Sequence, residues 1–277
     1  MRPRLILLLP FALAGCLREP DPFEYVEPAL SVHALLRASD TEVRVSVLPG
    51  VGEIGAAELR LDDGTRTIQL SPAANDSSCY AYAPTLPGEV TCYLAELPEP
   101  VQPGTRWQLS ANVEPGHVVS GSTRVPELPA LLRPAVGEHL SYRGPGTQNA
   151  FTVEWRTEAA PRVEIRLGEG SAYRDGSRIE DARCMVFSQS LDAAVGQPAG
   201  SRTVAVQDVY CGSPTVSPVE WDSVTVPVVV TAFDSAYAAF ALFGESMTRN
   251  RNGGLQGAYG VFGSAASASR EVVITRP

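Results

Sequence analysis

The residues best able to do chemistry in this chain are its five cysteines: Cys16, Cys79, Cys92, Cys184 and Cys211. Cys16 stands apart. It follows Leu13-Ala14-Gly15, and ahead of that lie a basic start, Met1-Arg2-Pro3-Arg4, and an apolar run from Leu5 to Ala14. Small residues before a cysteine, after a basic and an apolar segment, form the cleavage and lipidation site of a bacterial lipoprotein. The Cys16 thiol is then expected to carry lipid, with residues 1–15 removed as a signal peptide. A transmembrane helix needs about 20 apolar residues, so this short run reads as a targeting element. An ordinary signal peptide with an unrelated cysteine is the rival reading. Each buried lipid CH₂ contributes ~0.8 kcal/mol, and more than one chain makes anchoring stable. Leu17 rather than Asp follows the cysteine, which favours the outer membrane.

Giving Cys16 to lipid leaves four cysteines, which allow three pairings. Proximity along the chain favours Cys79–Cys92 and Cys184–Cys211. Bridges of that loop size contribute ~3 kcal/mol each in the chain-entropy model. Exported compartments permit them. A zinc site is the alternative, but no C-x-x-C occurs and His33, His117 and His139 are scattered.

Other constellations fall short of a reaction. Gly244-Glu245-Ser246-Met247-Thr248 lacks the last glycine of a nucleophile elbow. No H-E-x-x-H occurs, and Gly144-Pro145-Gly146 lacks the third glycine of a dinucleotide loop. All 22 basic residues are arginine, which excludes lysine Schiff bases, Ser-Lys dyads and P-loops. Glu138-His139 pairs an acid with an imidazole, yet neighbours on a strand point to opposite faces. Asp62-Asp63 reads as a turn rather than a calcium ligand pair, because no ligand-spaced partner follows. Arg249 and Arg251, in the glycine-rich 249–257 stretch, could hold an anion or be simply solvated. Dispersed carboxylates of a glycosidase type would leave no local motif. No catalytic, cofactor or metal residue is assigned.

The elements that would position these residues are mostly strands. The mature chain has 262 residues, more than one usual domain. Its 23 prolines and 24 glycines favour many turns. It carries 20 basic against 31 acidic residues, so it repels phosphate backbones and nucleic acid is excluded as a partner. Its membrane contact is the lipid on Cys16 rather than a basic patch. Residues 16–28, with Pro20, Pro22 and Pro28, form an extended tether.

Val43, Val45 and Val47 alternate with polar residues, as do Leu59 and Leu61. Asp63-Gly64 then predicts a hairpin. Strands over residues 30–36, 79–82, 90–94, 107–113 and 118–124 complete an immunoglobulin-like sandwich spanning 29–125. Pro126, Pro129 and Pro134 mark a linker over 126–134. A second β-rich domain, 135–277, resembles a fibronectin type III-like sandwich. It opens with the alternating strands 151–155 and 162–167. Pro227 within Val224–Phe233 predicts an edge or bulged strand. One helix is predicted over Asp234–Met247, capped by Asp234 or Ser235, with Tyr237, Phe240, Ala241 and Gly244 on one stripe.

The layout resembles domain-of-unknown-function family 4249, bacterial outer-membrane lipoproteins. The likeness rests on Glu27 to Leu61, on Pro103-Gly104-Thr105-Arg106-Trp107-Gln108-Leu109 with Ser120 to Pro126, and on Tyr237 followed by Asn252-Gly253-Gly254 and Gly260-Val261-Phe262-Gly263. This chain departs by inserting Leu255 to Tyr259, and by its two cysteine pairs. The resemblance implies a non-enzymatic accessory, often associated with TonB-dependent transporters, and no catalytic residues to carry over. An adhesive envelope protein and a surface hydrolase are the alternatives.

Overall fold

Alternation of apolar and polar residues becomes strands along most of the described residues. A computed structural model describes residues 30–48, 57–73, 90–113, 116–145, 149–158, 160–188, 194–195, 199–212, 218–241 and 252–277. The expected signal peptide and tether, Cys16 and Cys79 lie outside these residues.

The first sandwich contains β1 (Ser31–Arg37), β2 (Glu42–Leu48), β3 (Ala57–Asp62), β4 (Thr67–Ala73), β5 (Thr91–Glu96), β6 (Arg106–Val113) and β7 (His117–Arg124). β1, β2 and β5 pair as one sheet, and β3, β6 and β7 as the other. β4 serves both: Thr67–Leu70 pairs with β3 and Ser71–Ala73 with β5. A four-strand face of strands one, two, five and four against strands three, six and seven is the immunoglobulin arrangement. β6 shows why the sequence folds so. Trp107, Leu109, Ala111 and Val113 are buried while the residues between them are exposed. They meet Leu59 and Leu61 of the adjoining β3 and Leu36 of the facing sheet in one core.

The predicted hairpin joins β3 to β4, with Gly64 at φ 87°. Asp63 holds the turn: its Oδ1 accepts from the Thr65 and Arg66 N–H groups and the Thr65 hydroxyl, and its Oδ2 from Arg66 Nε. Asp62 accepts from Gly64 N–H and the Thr67 hydroxyl. Both carboxylates are committed to the turn. Desolvation works against the charge on Asp63, yet the bonds from Thr65 and Arg66 draw its pKa down to about 2.

The second sandwich repeats the two-sheet plan. It comprises β8 (Ala130–Arg133), β9 (Glu138–Ser141), β10 (Asn149–Arg156), β11 (Arg162–Leu167), β12 (Gly170–Arg174), β13 (Ser177–Ser188), β14 (Ala194–Val195), β15 (Ala199–Gly212) and β16 (Ser223–Phe233). Then come helix α1 (Ser235–Ala241) and strands β17 (Asn252–Gly253), β18 (Leu255–Gln256) and β19 (Tyr259–Thr275). β8, β10, β15 and β13 pair in series, as do β11, β16, β19 and β9. Trp155, Val163, Val204, Trp221 and Val230 fill the space between.

Three features differ from the sequence reading. The 126–134 stretch is not wholly a linker: β8 pairs with β10, seating Leu131 opposite Trp155. Pro227 sits in a central strand, between β11 and β12 on one side and β19 on the other. The break between β11 and β12 accommodates it. Gly168 N–H donates to the Pro227 carbonyl at 2.8 Å, and a Cβ on Gly168 would meet Pro227 Cγ at 2.6 Å. The third difference is the largest. Residues 252–265, expected in the second domain, complete the first. β19 pairs in parallel with β1 from Tyr259 to Ala265 and only then antiparallel with β16. β18 adds to β7, and Leu255 and Phe262 are buried in the first core.

That insertion depends on backbone approach. Gly260 has φ 103°, and a Cβ there would collide with the Val32 carbonyl. Gly260→Ala should therefore cost at least ~3 kcal/mol, measured by urea unfolding. Since the strand is shared, tryptophan fluorescence and circular dichroism should report one coincident transition, and two separate transitions would refute the coupling.

Candidate binding cleft between the sandwiches

Three polar side chains are buried where the two sandwiches meet: Thr123 at the end of β7, Asp234 between β16 and α1, and Ser264 in β19. Asp234 Oδ1 accepts from Tyr237 N–H at 2.9 Å, the helix cap expected from its position, and from Ser264 N–H at 3.1 Å. Its Oδ2 accepts from the Thr123 hydroxyl at 2.7 Å. The Thr123 and Ser264 hydroxyls lie 2.6 Å apart, and Ser264 donates to the Arg124 carbonyl at 2.9 Å. Burial raises the Asp234 pKa, while the bonds from Tyr237, Thr123, Ser264 and Ala236 pull it back. The close approach needs a glycine. A Cβ on Gly263 would lie 2.7 Å from Tyr237 Cβ and 3.1 Å from Asp234 Oδ1.

A cleft of about 580 Å³ opens above this cluster. The first sandwich contributes Arg106 and the Ser122–Arg124 end of β7, and the second contributes Glu158, Pro161, Phe233 and Ser235. Glu127, from the connecting segment, also lines it. In the β6–β7 pair Arg106 stands directly opposite Arg124. Arg124 Nε donates to the Gly104 carbonyl at 3.2 Å. A second groove, of about 650 Å³, lies on the second sandwich, where Met185, Phe187 and Tyr210 are exposed beside Leu167. The Glu169–Arg183 ion pair, 3.2 Å, edges it.

The cysteines and histidines are elsewhere. Cys184 and Cys211 are register partners of β13 and β15 and are joined by a disulfide, as their proximity predicts. Cys92 is disulfide-bonded as well, while Cys79 lies outside the described residues. His33 is on β1, His117 on β7 and His139 on β9. Among the described residues no group of three His, Cys, Asp or Glu side chains is placed to hold a metal. The Glu138 carboxylate accepts from Ala135 N–H, inside its own turn. Ser246, Arg249, Arg251 and the helix beyond Ala241 fall outside the described residues.

Sequence reasoning found Asp234 as a cap but missed its contacts with Thr123 and Ser264, 111 and 30 residues away. It also missed the Arg106–Arg124 pair. A hairpin register through Pro115-Gly116 would have exposed it.

His33 is the other outlier. It is 3 % exposed, neither ring nitrogen has a hydrogen-bond partner, and its ring meets the Phe240 ring edge-on at 5.6 Å. Burial lowers its pKa from the usual 6.5 to about 4.

No family model and no curated protein matches the chain. Among solved structures it is similar to DIP-gamma IG1+IG2, at 10 % identity and a TM-score of 0.20, over 91 % of this chain and 98 % of that one. The immunoglobulin-like assignment rests instead on the strand order and on the cores described above.

The His33 shift has a testable sign. Above pH 6.5 the ring is neutral in both folded and unfolded chains. Below it the unfolded chain gains a proton that the folded chain refuses until about pH 4. Stability should fall by ~3 kcal/mol across that window. The Asp234 shift acts with the opposite sign, so the quantity to measure is wild type minus His33→Leu in urea melts at pH 7.5 and 4.5. A pH-independent difference would show that His33 is not held neutral.

Proposed function

We propose that this protein is a lipid-anchored, non-enzymatic accessory or binding protein of the bacterial outer membrane. It would be held there by lipid on Cys16 and would present its two sandwiches to a partner, an outer-membrane transporter. The observation that carries the reading is the order of residues 1–16: basic start, apolar run, then Leu13-Ala14-Gly15-Cys16. Two further facts support it. The Cys184–Cys211 bridge and the disulfide at Cys92 suit an oxidising compartment outside the cytoplasm. The exposed Met185, Phe187 and Tyr210 offer an apolar surface of the kind that meets partners. The choice of a transporter follows from the resemblance to the lipoprotein family, and Cys79 is proposed as the partner of Cys92.

Two measurements test this. Cys16→Ala should lose its lipid and leave the membrane fraction; unchanged fractionation with membranes would end the anchor reading. Affinity purification from gently solubilised outer membrane should recover a transporter in stoichiometric amount. Recovery of the protein alone would count against the transporter and leave an adhesive or structural role.

A further inference from the structure

Arg106 and Arg124 are direct cross-strand neighbours on the outer face of their sheet, beside buried Trp107 and Val125. Like charges placed directly opposite each other destabilise a strand pair. Some other arginines stand beside a carboxylate, Arg44 with Glu42 at 2.6 Å, Arg66 with Asp63 at 2.8 Å and Arg183 with Glu169 at 3.2 Å, and others are held differently, Arg270 by the Leu132 and Pro134 carbonyls and Arg276 over the Trp221 ring. Among the described residues no carboxylate lies within ion-pair distance of Arg106 or Arg124. The fold therefore keeps two guanidinium groups together with no carboxylate in direct contact among the described residues.

Their setting is a cleft rather than a flat surface. Arg124 is held through Nε by the Gly104 carbonyl, which fixes the guanidinium plane and leaves its two terminal nitrogens to donate. A guanidinium presented in this way matches a carboxylate with paired hydrogen bonds. Ser122 and Ser235 add hydroxyls, and Pro161 and Phe233 supply an apolar wall. The volume of about 580 Å³ falls in the range of small-ligand sites, which favour domain junctions. Glu127 and Glu158 also line the cleft. With Asp234 they leave the cleft no excess of positive charge, which opposes a polyanion; a carboxylate would be held by the paired guanidinium donors rather than by net charge.

We propose that this cleft binds a ligand bearing a single carboxylate, clasped by Arg106 and Arg124, with the body of the ligand against Pro161 and Phe233. A peptide C-terminus and a uronic acid share that chemistry. The site is independent of the lipid anchor and of any transporter.

Calorimetric titration of the full chain with acetyl-trialanine and with methyl glucuronide tests the proposal. At least one acid should bind, and the acid that does identifies the source. Its uncharged amide should bind at least tenfold more weakly. Arg106→Gln should lose at least tenfold in affinity. It should also melt at or above the wild-type temperature at low ionic strength, because it relieves a like-charge pair. Arg106→Lys, which keeps the charge but not the fork, should also weaken binding if the glutamine variant fails to fold. The proposal falls if neither acid binds, if acid and amide bind equally, or if both variants bind as wild type. A lower melting temperature for a folded Arg106→Gln would also overturn it, since the pair would then serve the fold.

Discussion

One strand carries hydrogen bonds for both sandwiches. Residues Tyr259–Ala265 of β19 run parallel to β1, and Ala265–Thr275 run antiparallel to β16. At Ala265 the same backbone pairs with Arg37 of the first sandwich and Phe233 of the second. Between β16 and that point the chain makes an excursion that seats Leu255 and Phe262 in the first core. Gly121 opposite them shows how tightly they fit, since a Cβ there would lie 2.9 Å from Leu255 Cδ2. The first sandwich therefore lacks part of its core until the end of the chain arrives. The two sandwiches are separate cores joined by shared backbone, which differs from two domains on a hinge.

The junction follows from that sharing. Because β19 passes between the cores, Ser264 is brought against Thr123 and Asp234, and their hydrogen bonds satisfy groups that burial would otherwise leave unpaired. Asp234 does two jobs with one carboxylate: it starts α1 and ties that start to β7 and β19. α1 in turn lays Tyr237 and Phe240 near Phe233 and His33. The unpartnered imidazole sits against aromatic carbon, which explains why it stays neutral rather than finding a counter-ion. The floor of the cleft is held by hydrogen bonds from both sandwiches.

How much of this could be read from residues alone depends on the range of the interaction. Local rules worked. Alternation in Arg106–Val113 set both the strand and its buried face, and in Glu42–Leu48 it set the strand, although Ser46 and Leu48 are buried there too. Asp63-Gly64 marked a turn whose bonds all lie within a few residues. Asp234 was legible as a cap for the same reason, and Cys184–Cys211 because only 27 residues separate them. Rules about strand position failed where tertiary pairing decided the outcome. Pro227 reads as an edge residue until the interruption opposite it at Gly168 is known. Residues 252–265 look like part of the second domain, because nothing local distinguishes pairing with β1 from pairing with a nearer neighbour. The arginine pair needed a register, and the junction cluster needed contacts across more than a hundred residues.

The glycines of the last segment link these scales. Gly254, Gly257 and Gly260 all have positive φ, and each would place a Cβ against backbone of the first sandwich or of β19. In the sequence Gly254 and Gly257 belong to a glycine-rich stretch, and glycine is permissive in either state. In the structure that permissiveness is spent on contact: Gly257 and Gly260 bring the chain against Val118 of β7 and Val32 of β1, closer than a side chain would allow. The same segment that seems least structured by composition therefore fixes the two cores relative to each other. It also leads into Ser264, which lies against Thr123 beneath the cleft lined by Arg106, Arg124, Glu158 and Phe233. Whatever enters the cleft meets a geometry determined by strand pairing at the far end of the chain.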